Sequence, residues 1–103
     1  MGLNGEYMFR VGQVVISRKG KDAGKWYVVV KVQSENNRIY VSDGGKFPAS
    51  KPKAKNPSHI QGTRWILDEV EDKISRGKEL DKGRLQYLFS QVREMNSTQK
   101  QGG

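Results

Sequence analysis

Apolar residues follow two rhythms along this chain, and the change falls near residue 62. In the first part they come in short runs rich in β-branched and aromatic side chains. Val14, Val15 and Ile16 form one run, and Trp26 to Val30 form another with Val32 beyond it. Such residues suit a pleated, half-buried surface better than a helix, so the runs predict two strands of a hairpin over residues 11–32. Residues 34–37 read as a polar turn and residues 38–42 as a third strand. In that strand Ile39 and Val41 share one face, and Tyr40 and Ser42 share the other. Asp43-Gly44-Gly45 supplies a tight turn. Residues 47–53 are a candidate fourth strand, at an edge or irregular, because Pro48 and Pro52 donate no ladder hydrogen bonds. Residues 59–62 predict a short closing strand. Five short strands with frequent turns predict a small β-barrel.

From Thr63 the period lengthens. Ile66, Val70 and Ile74 fall on one helical face, with Leu67 beside them and Trp65 at its edge, while Asp68 and Asp72 lie opposite. Thr63 or its predecessor is expected to cap this helix, and Gly77 to stop it. Asp81 offers a second cap, before Leu85, Leu88, Phe89 and Val92 at i, i+3, i+4 and i+7. The two helices form a hairpin whose apolar stripe is expected to bury against the strands. The chain thus divides into a flexible start at 1–8, a barrel at 9–62, a helical hairpin at 63–95 and a disordered tail at 96–103.

Composition sharpens this picture. Hydrophobic residues make up 34% of the 103 and charged residues 29%, so the expected core is small. The absence of cysteine removes disulfides, thiolate zinc sites and cysteine nucleophiles from consideration. No apolar run approaches the roughly 20 residues of a membrane span, and no leader-like segment opens the chain, so a cytoplasmic protein is expected. The formal net charge is +8, which favours polyanionic partners. Its distribution is uneven: residues 1–62 hold 11 Lys and Arg against 4 Asp and Glu, and residues 63–103 hold 8 against 7. The strand-rich half is the polyanion-binding half.

Two basic clusters stand out there. The hairpin loop carries Arg18, Lys19, Lys21 and Lys25 around Gly20 and Gly24, which allow close backbone approach. The second runs from Lys46 to His59 and alternates Lys51, Lys53 and Lys55 with Pro52 and Ala54. In an extended chain such lysines share a face at a spacing of about 6.6 Å and can follow successive phosphates. A solvated loop kept soluble by lysine is the plainer alternative, and the presence of two clusters in one half weighs against it. Adjacent Trp26 and Tyr27 point to opposite faces of their strand, so at most one is expected in the core. The other is then available, like Tyr40 and Phe47, to stack on a base or pack on a neighbour. His59 is the lone histidine and completes neither a zinc site nor a triad. No catalytic residue, metal site or cofactor is expected.

These residues also carry a resemblance. Gly12-x-Val14-x-Ile16, then Gly20-Lys21-Asp22-Ala23-Gly24-Lys25 leading into Val28-x-Val30, resembles the KOW motif of ribosomal proteins and transcription elongation factors. Val41-Ser42-Asp43-Gly44-Gly45, followed by Lys51-Pro52-Lys53-x-Lys55-Asn56-x-x-His59-Ile60, is similar to small bacterial KOW-domain RNA-binding proteins. These are relatives of the large-subunit ribosomal protein family fourteen-e of archaea and eukaryotes. The resemblance covers residues 9–61 and implies an SH3-like barrel that binds RNA or the ribosome, with His59 at the motif's histidine. The expectation is a noncatalytic, monomeric RNA-binding protein. It would grip ribosomal RNA through Arg18, Lys19, Lys21, Lys25, Lys46, Lys51, Lys53 and Lys55, with His59 nearby and ribosomal proteins as possible neighbours. A protein-interaction module and a nonspecific DNA binder are the alternatives.

Overall fold

The computed structural model describes residues 9–102, with side chains to residue 95; the flexible start expected at 1–8 lies outside them. Five strands form one antiparallel sheet: β1 (Gln13–Ser17), β2 (Trp26–Gln33), β3 (Arg38–Ser42), β4 (Lys53–Lys55) and β5 (Ile60–Ile66). Their order is β4-β3-β2-β1-β5. Two helices follow, α1 (Asp68–Ser75) and α2 (Lys82–Gly102). The expected mixture of β with α is therefore present. The ladder is open, because among the described residues β4 and β5 end it without pairing to each other.

The hairpin of β1 and β2 forms where the apolar runs place it, with Val14 opposite Val28 and Ile16 opposite Trp26. The fourth strand is shorter and later than residues 47–53. Only residues 53–55 pair with β3, since Pro48 and Pro52 keep the preceding stretch out of the ladder. The closing strand is longer than residues 59–62, and this overturns the expected helix start at Thr63. Ile66 pairs with Gln13, and a bulge between Gln13 and Val15 absorbs the extra residues. Side chains stitch that bulge: Thr63 Oγ1 donates to Val14 O at 2.7 Å, and Gln13 Nε2 donates to Thr63 O at 2.8 Å. α1 then begins at Asp68, with Asp68, Glu69 and Glu71 in its first turn, where the helix dipole favours carboxylates.

The sheet is strongly curled. A flat ladder would hold β4 and β1 about 14 Å apart, three strand spacings. Yet Lys55 Nζ on β4 reaches Ser17 Oγ on β1 at 3.2 Å. Both faces consequently bury apolar residues. The inner face gathers Val15, Tyr27, Val29, Ile39, Val41 and Ile60, flanked by Phe9 and Phe47. The outer face joins Val14, Val28 and Val30 to Val70, Leu80, Leu85, Phe89 and Val92. The helical stripe thus buries on the sheet as its spacing predicts, and Trp65 and Leu67 pack at the junction.

Helix ends follow local chemistry. Gly77, at φ 71°, takes the left-handed conformation just after α1. Asp81 Oδ2 accepts from Arg84 N at 2.7 Å and caps α2. α2 continues to Gly102, beyond the boundary at residue 95 that composition suggested. No proline or glycine interrupts residues 96–101, so the turn already formed can propagate.

Candidate nucleic-acid interface

Antiparallel register decides which loops meet. Ser17 lies opposite Ile60, Ile16 opposite Trp26, Val28 opposite Ser42, and Val41 opposite Lys53. The ends of β1 and β3 and the starts of β2, β4 and β5 therefore share one end of the sheet. Three segments far apart in sequence converge there: the 18–25 loop, the connection after Ser42, and residues 56–59 before β5. Most of the basic residues singled out in the sequence ride on these segments.

Two carboxylates organise this end. Asp22 sits at the centre of the 18–25 loop and accepts from Tyr27 Oη at 2.6 Å, Lys55 Nζ at 2.9 Å and Ser17 Oγ at 2.9 Å. Burial opposes its ionisation, but those hydrogen bonds and the Lys55 charge prevail and hold the Asp22 carboxyl far below the usual carboxylate range. Burial and the hydrogen bond to Asp22 push the Tyr27 phenol far above its ordinary value. The 18–25 loop is also closed by backbone bonds, with Gly24 N donating to Ser17 O at 2.7 Å and Lys25 N to Asp22 O at 2.9 Å. Asp43 does the same for the neighbouring turn. Its Oδ1 accepts from Gly45 N and Phe47 N at 2.9 Å each, and its Oδ2 takes Lys25 Nζ at 2.7 Å. Burial opposes the charge of Asp43 as well, and the Lys25 ammonium with the two backbone N–H groups keeps its carboxyl below its ordinary value.

The candidate cations divide accordingly. Arg18, Lys19, Lys21, Lys46 and Lys51 are exposed, and among the described residues none forms an ion pair with a carboxylate. Arg18 donates to the side-chain carbonyl of Gln61, and its backbone N–H donates to His59 O at 2.8 Å, which fixes the loop to β5. Lys46 lies 5.5 Å from the Phe47 ring centroid. Lys25 is exposed, but its ammonium is paired with Asp43 at 2.7 Å. Lys53, half-buried, stands 3.9 Å from Asp22 and 4.8 Å over Phe47.

Lys55 is the correction. It is 8% exposed, with its ammonium bonded to Ser17 and Asp22, so it faces the interior and offers nothing to a phosphate. Lys53 and Lys55 do share a face, as alternation requires, but on β4 that face is the inner one, opposite Val41 and Ile39. Lys51 lies outside the strand, so the expected row of three does not form. His59 is half-buried and contributes its backbone to a single 3-10 turn, Pro57–His59, capped by Asn56.

The aromatic expectation also changes. Because both sheet faces are covered, Trp26 and Tyr27 are both engaged. Tyr27 is fully buried, while half-buried Trp26 packs 5.9 Å from Phe89 beneath the Arg93 guanidinium. Phe47 packs 6.5 Å from Tyr27. Sequence reasoning overlooked Asp22, Asp43 and Ser17 as organisers. A lone carboxylate among the cations of a short loop was the available signal for Asp22.

The helical half is electrically different. Two of its exposed arginines pair with acids, Arg84 with Glu69 at 2.7 Å and Arg76 with Asp72 at 3.3 Å. Its Glu71 takes Arg10 of the amino-terminal segment at 3.1 Å, while among the described residues exposed Lys78 and Lys82 form no ion pair. Among the described residues, no cluster of His, Cys, Asp and Glu suits a metal ion, and no helix is long and apolar enough to cross a membrane. A scan against protein-family models and a search of curated proteins each return no match to this chain.

Proposed function

We propose that this protein is a noncatalytic, cytoplasmic RNA-binding module. Its curled sheet would be an SH3-like barrel of the KOW type, and its target ribosomal RNA held through phosphates. The observation that carries the reading is the contrast between the two halves. Among the described residues, Arg18, Lys19, Lys21, Lys46 and Lys51 stand exposed at one end of the sheet without carboxylate partners, where Asp22 locks the 18–25 loop. The 8 cations of residues 63–103, by contrast, are nearly balanced by 7 acids, two of which pair with Arg76 and Arg84. A rigid, net-positive surface suits a polyanion, because little ordering entropy is lost when phosphates dock on it. The contacts proposed are Arg18, Lys19, Lys21, Lys46 and Lys51, with Lys25, Lys53 and His59 at the margin. Lysines outnumber groups able to read base edges, so backbone and shape would dominate the grip.

The test is the salt dependence of binding to ribosomal RNA fragments, with duplex DNA as competitor. Neutralising about five phosphates gives a log–log slope of roughly −3.5 on single strands. A slope near zero, or equal competition by duplex DNA, would remove the reading.

A further inference from the structure

Between the outer face of β2 and β3 and the link joining α1 to α2 lies an open groove of about 540 Å³. Its size falls within the roughly 300–1,000 Å³ common for ligand sites. Val30, Tyr40, Pro52 and Ile74 make its apolar lining, and the exposed lysines Lys31 and Lys78 stand at its edge. Glu79 also borders it, but its carboxylate accepts from the backbone N–H groups of Ala49 at 2.7 Å and Ser50 at 3.0 Å. Its charge is thereby compensated within the fold.

The Tyr40 ring is held in place. Its hydroxyl donates to Gln33 Oε1 at 2.9 Å, and Lys31 Nζ lies 5.6 Å from the ring centroid. A fixed aromatic ring with one ammonium beside it and another across the groove matches a flat, π-rich body joined to an anion. A proline-rich peptide would use the ring and leave both ammoniums unanswered. Lys51, between the Ser50 and Pro52 that line the groove, connects it along the chain to the basic end of the sheet.

We propose that this groove seats one unpaired base of the bound RNA against Tyr40, with the adjoining phosphates on Lys31 and Lys78. The inference rests on the RNA-binding reading and adds to it a preference for single-stranded over fully paired RNA. The basic loops supply sequence-independent attraction, and the groove supplies the element that needs a base.

The experiment compares a short oligouridine with an abasic ribose-phosphate chain of equal length, observing the methyl resonances of Val30 and Ile74. Both polymers are expected to bind at low salt, but only oligouridine should shift those methyls by ring current. Tyr40→Phe keeps the ring and should keep the effect. Tyr40→Ala should weaken oligouridine about tenfold and leave abasic binding unchanged. Should Tyr40→Ala fail to fold, the Lys31→Gln/Lys78→Gln variant, altered only at exposed positions, should still lose affinity and the methyl shift. Equal binding of both polymers with unmoved methyls would overturn the groove assignment and leave the RNA reading intact. Binding of neither polymer would overturn both. Methyl shifts produced by a proline-rich peptide and not by oligouridine would overturn the groove assignment in favour of a protein partner.

Discussion

Lys55 Nζ stands 2.9 Å from Asp22 Oδ1, joining the edge strand β4 to a loop 33 residues away in sequence. Both side chains are largely withdrawn from water, at 9% and 14% exposure. The pair therefore works as a clasp for the curled sheet. Breaking a buried pair leaves one charge without compensation, which costs about 3–5 kcal/mol. Asp22→Ala is expected to destabilise the fold by that amount in urea unfolding, because Lys55, Tyr27 and Ser17 all lose their acceptor. A change below about 1 kcal/mol would mean that the clasp holds nothing.

The same carboxylate sets an acid limit. The folded pKa of Asp22 lies below its unfolded value, which is about 3.9. Its contribution is thus complete above that value and is lost as pH falls towards the folded one; Asp43 acts in the same direction. Thermal unfolding midpoints should drop steeply below about pH 4, and Asp22→Asn should flatten that part of the profile. Tyr27 works in the opposite sense. Its folded pKa is raised, so its contribution is present below the ordinary tyrosine value of about 10 and is lost as pH rises beyond it.

Lys19 and Lys21 are exposed, and among the described residues neither side chain forms an ion pair. Replacing both by Gln should change stability by no more than about 0.5 kcal/mol. It should also weaken RNA binding uniformly across sequences and reduce the magnitude of the salt slope by about 1.4 on single strands. Unaltered affinity at low salt would detach the 18–25 loop from binding.

Gly44 and Gly24 offer a matched comparison of backbone strain. Both have positive φ, 77° and 91°. A Cβ on Gly24 meets nothing within 4 Å, whereas one on Gly44 would lie 3.0 Å from Lys82 Cα. Gly24→Ala should therefore cost only the conformational term, about 1–2 kcal/mol. Gly44→Ala should cost more, because the 43–47 turn must also retreat from the start of α2. Denaturant midpoints of the two variants decide the order.

Phe89 is 2% exposed and meets Trp26 across the sheet–helix junction. Phe89→Ala should cost about 3–5 kcal/mol in a single cooperative transition. Two separate transitions would mean that sheet and helices fold independently.

Much of this molecule was legible in its residues. The apolar runs of β1, β2 and β3 and the stripe of Leu85, Phe89 and Val92 announce their own structure, because period and side-chain shape act locally. The net charge of the strand-rich half likewise needed no coordinates. What local pattern left open was the fate of residues that pair at long range. Thr63 and Ile66 fit a helix by spacing, but an unfilled edge of β1 offered ladder bonds and took them into β5. Lys55 matched Lys51 and Lys53 in type and rhythm. Only the curl of the sheet, which turns the inner face of β4 towards Asp22, decided that it would be a buried strut. Curvature and register are properties of strands brought together, and a sidedness that depends on them has no signature in any single segment.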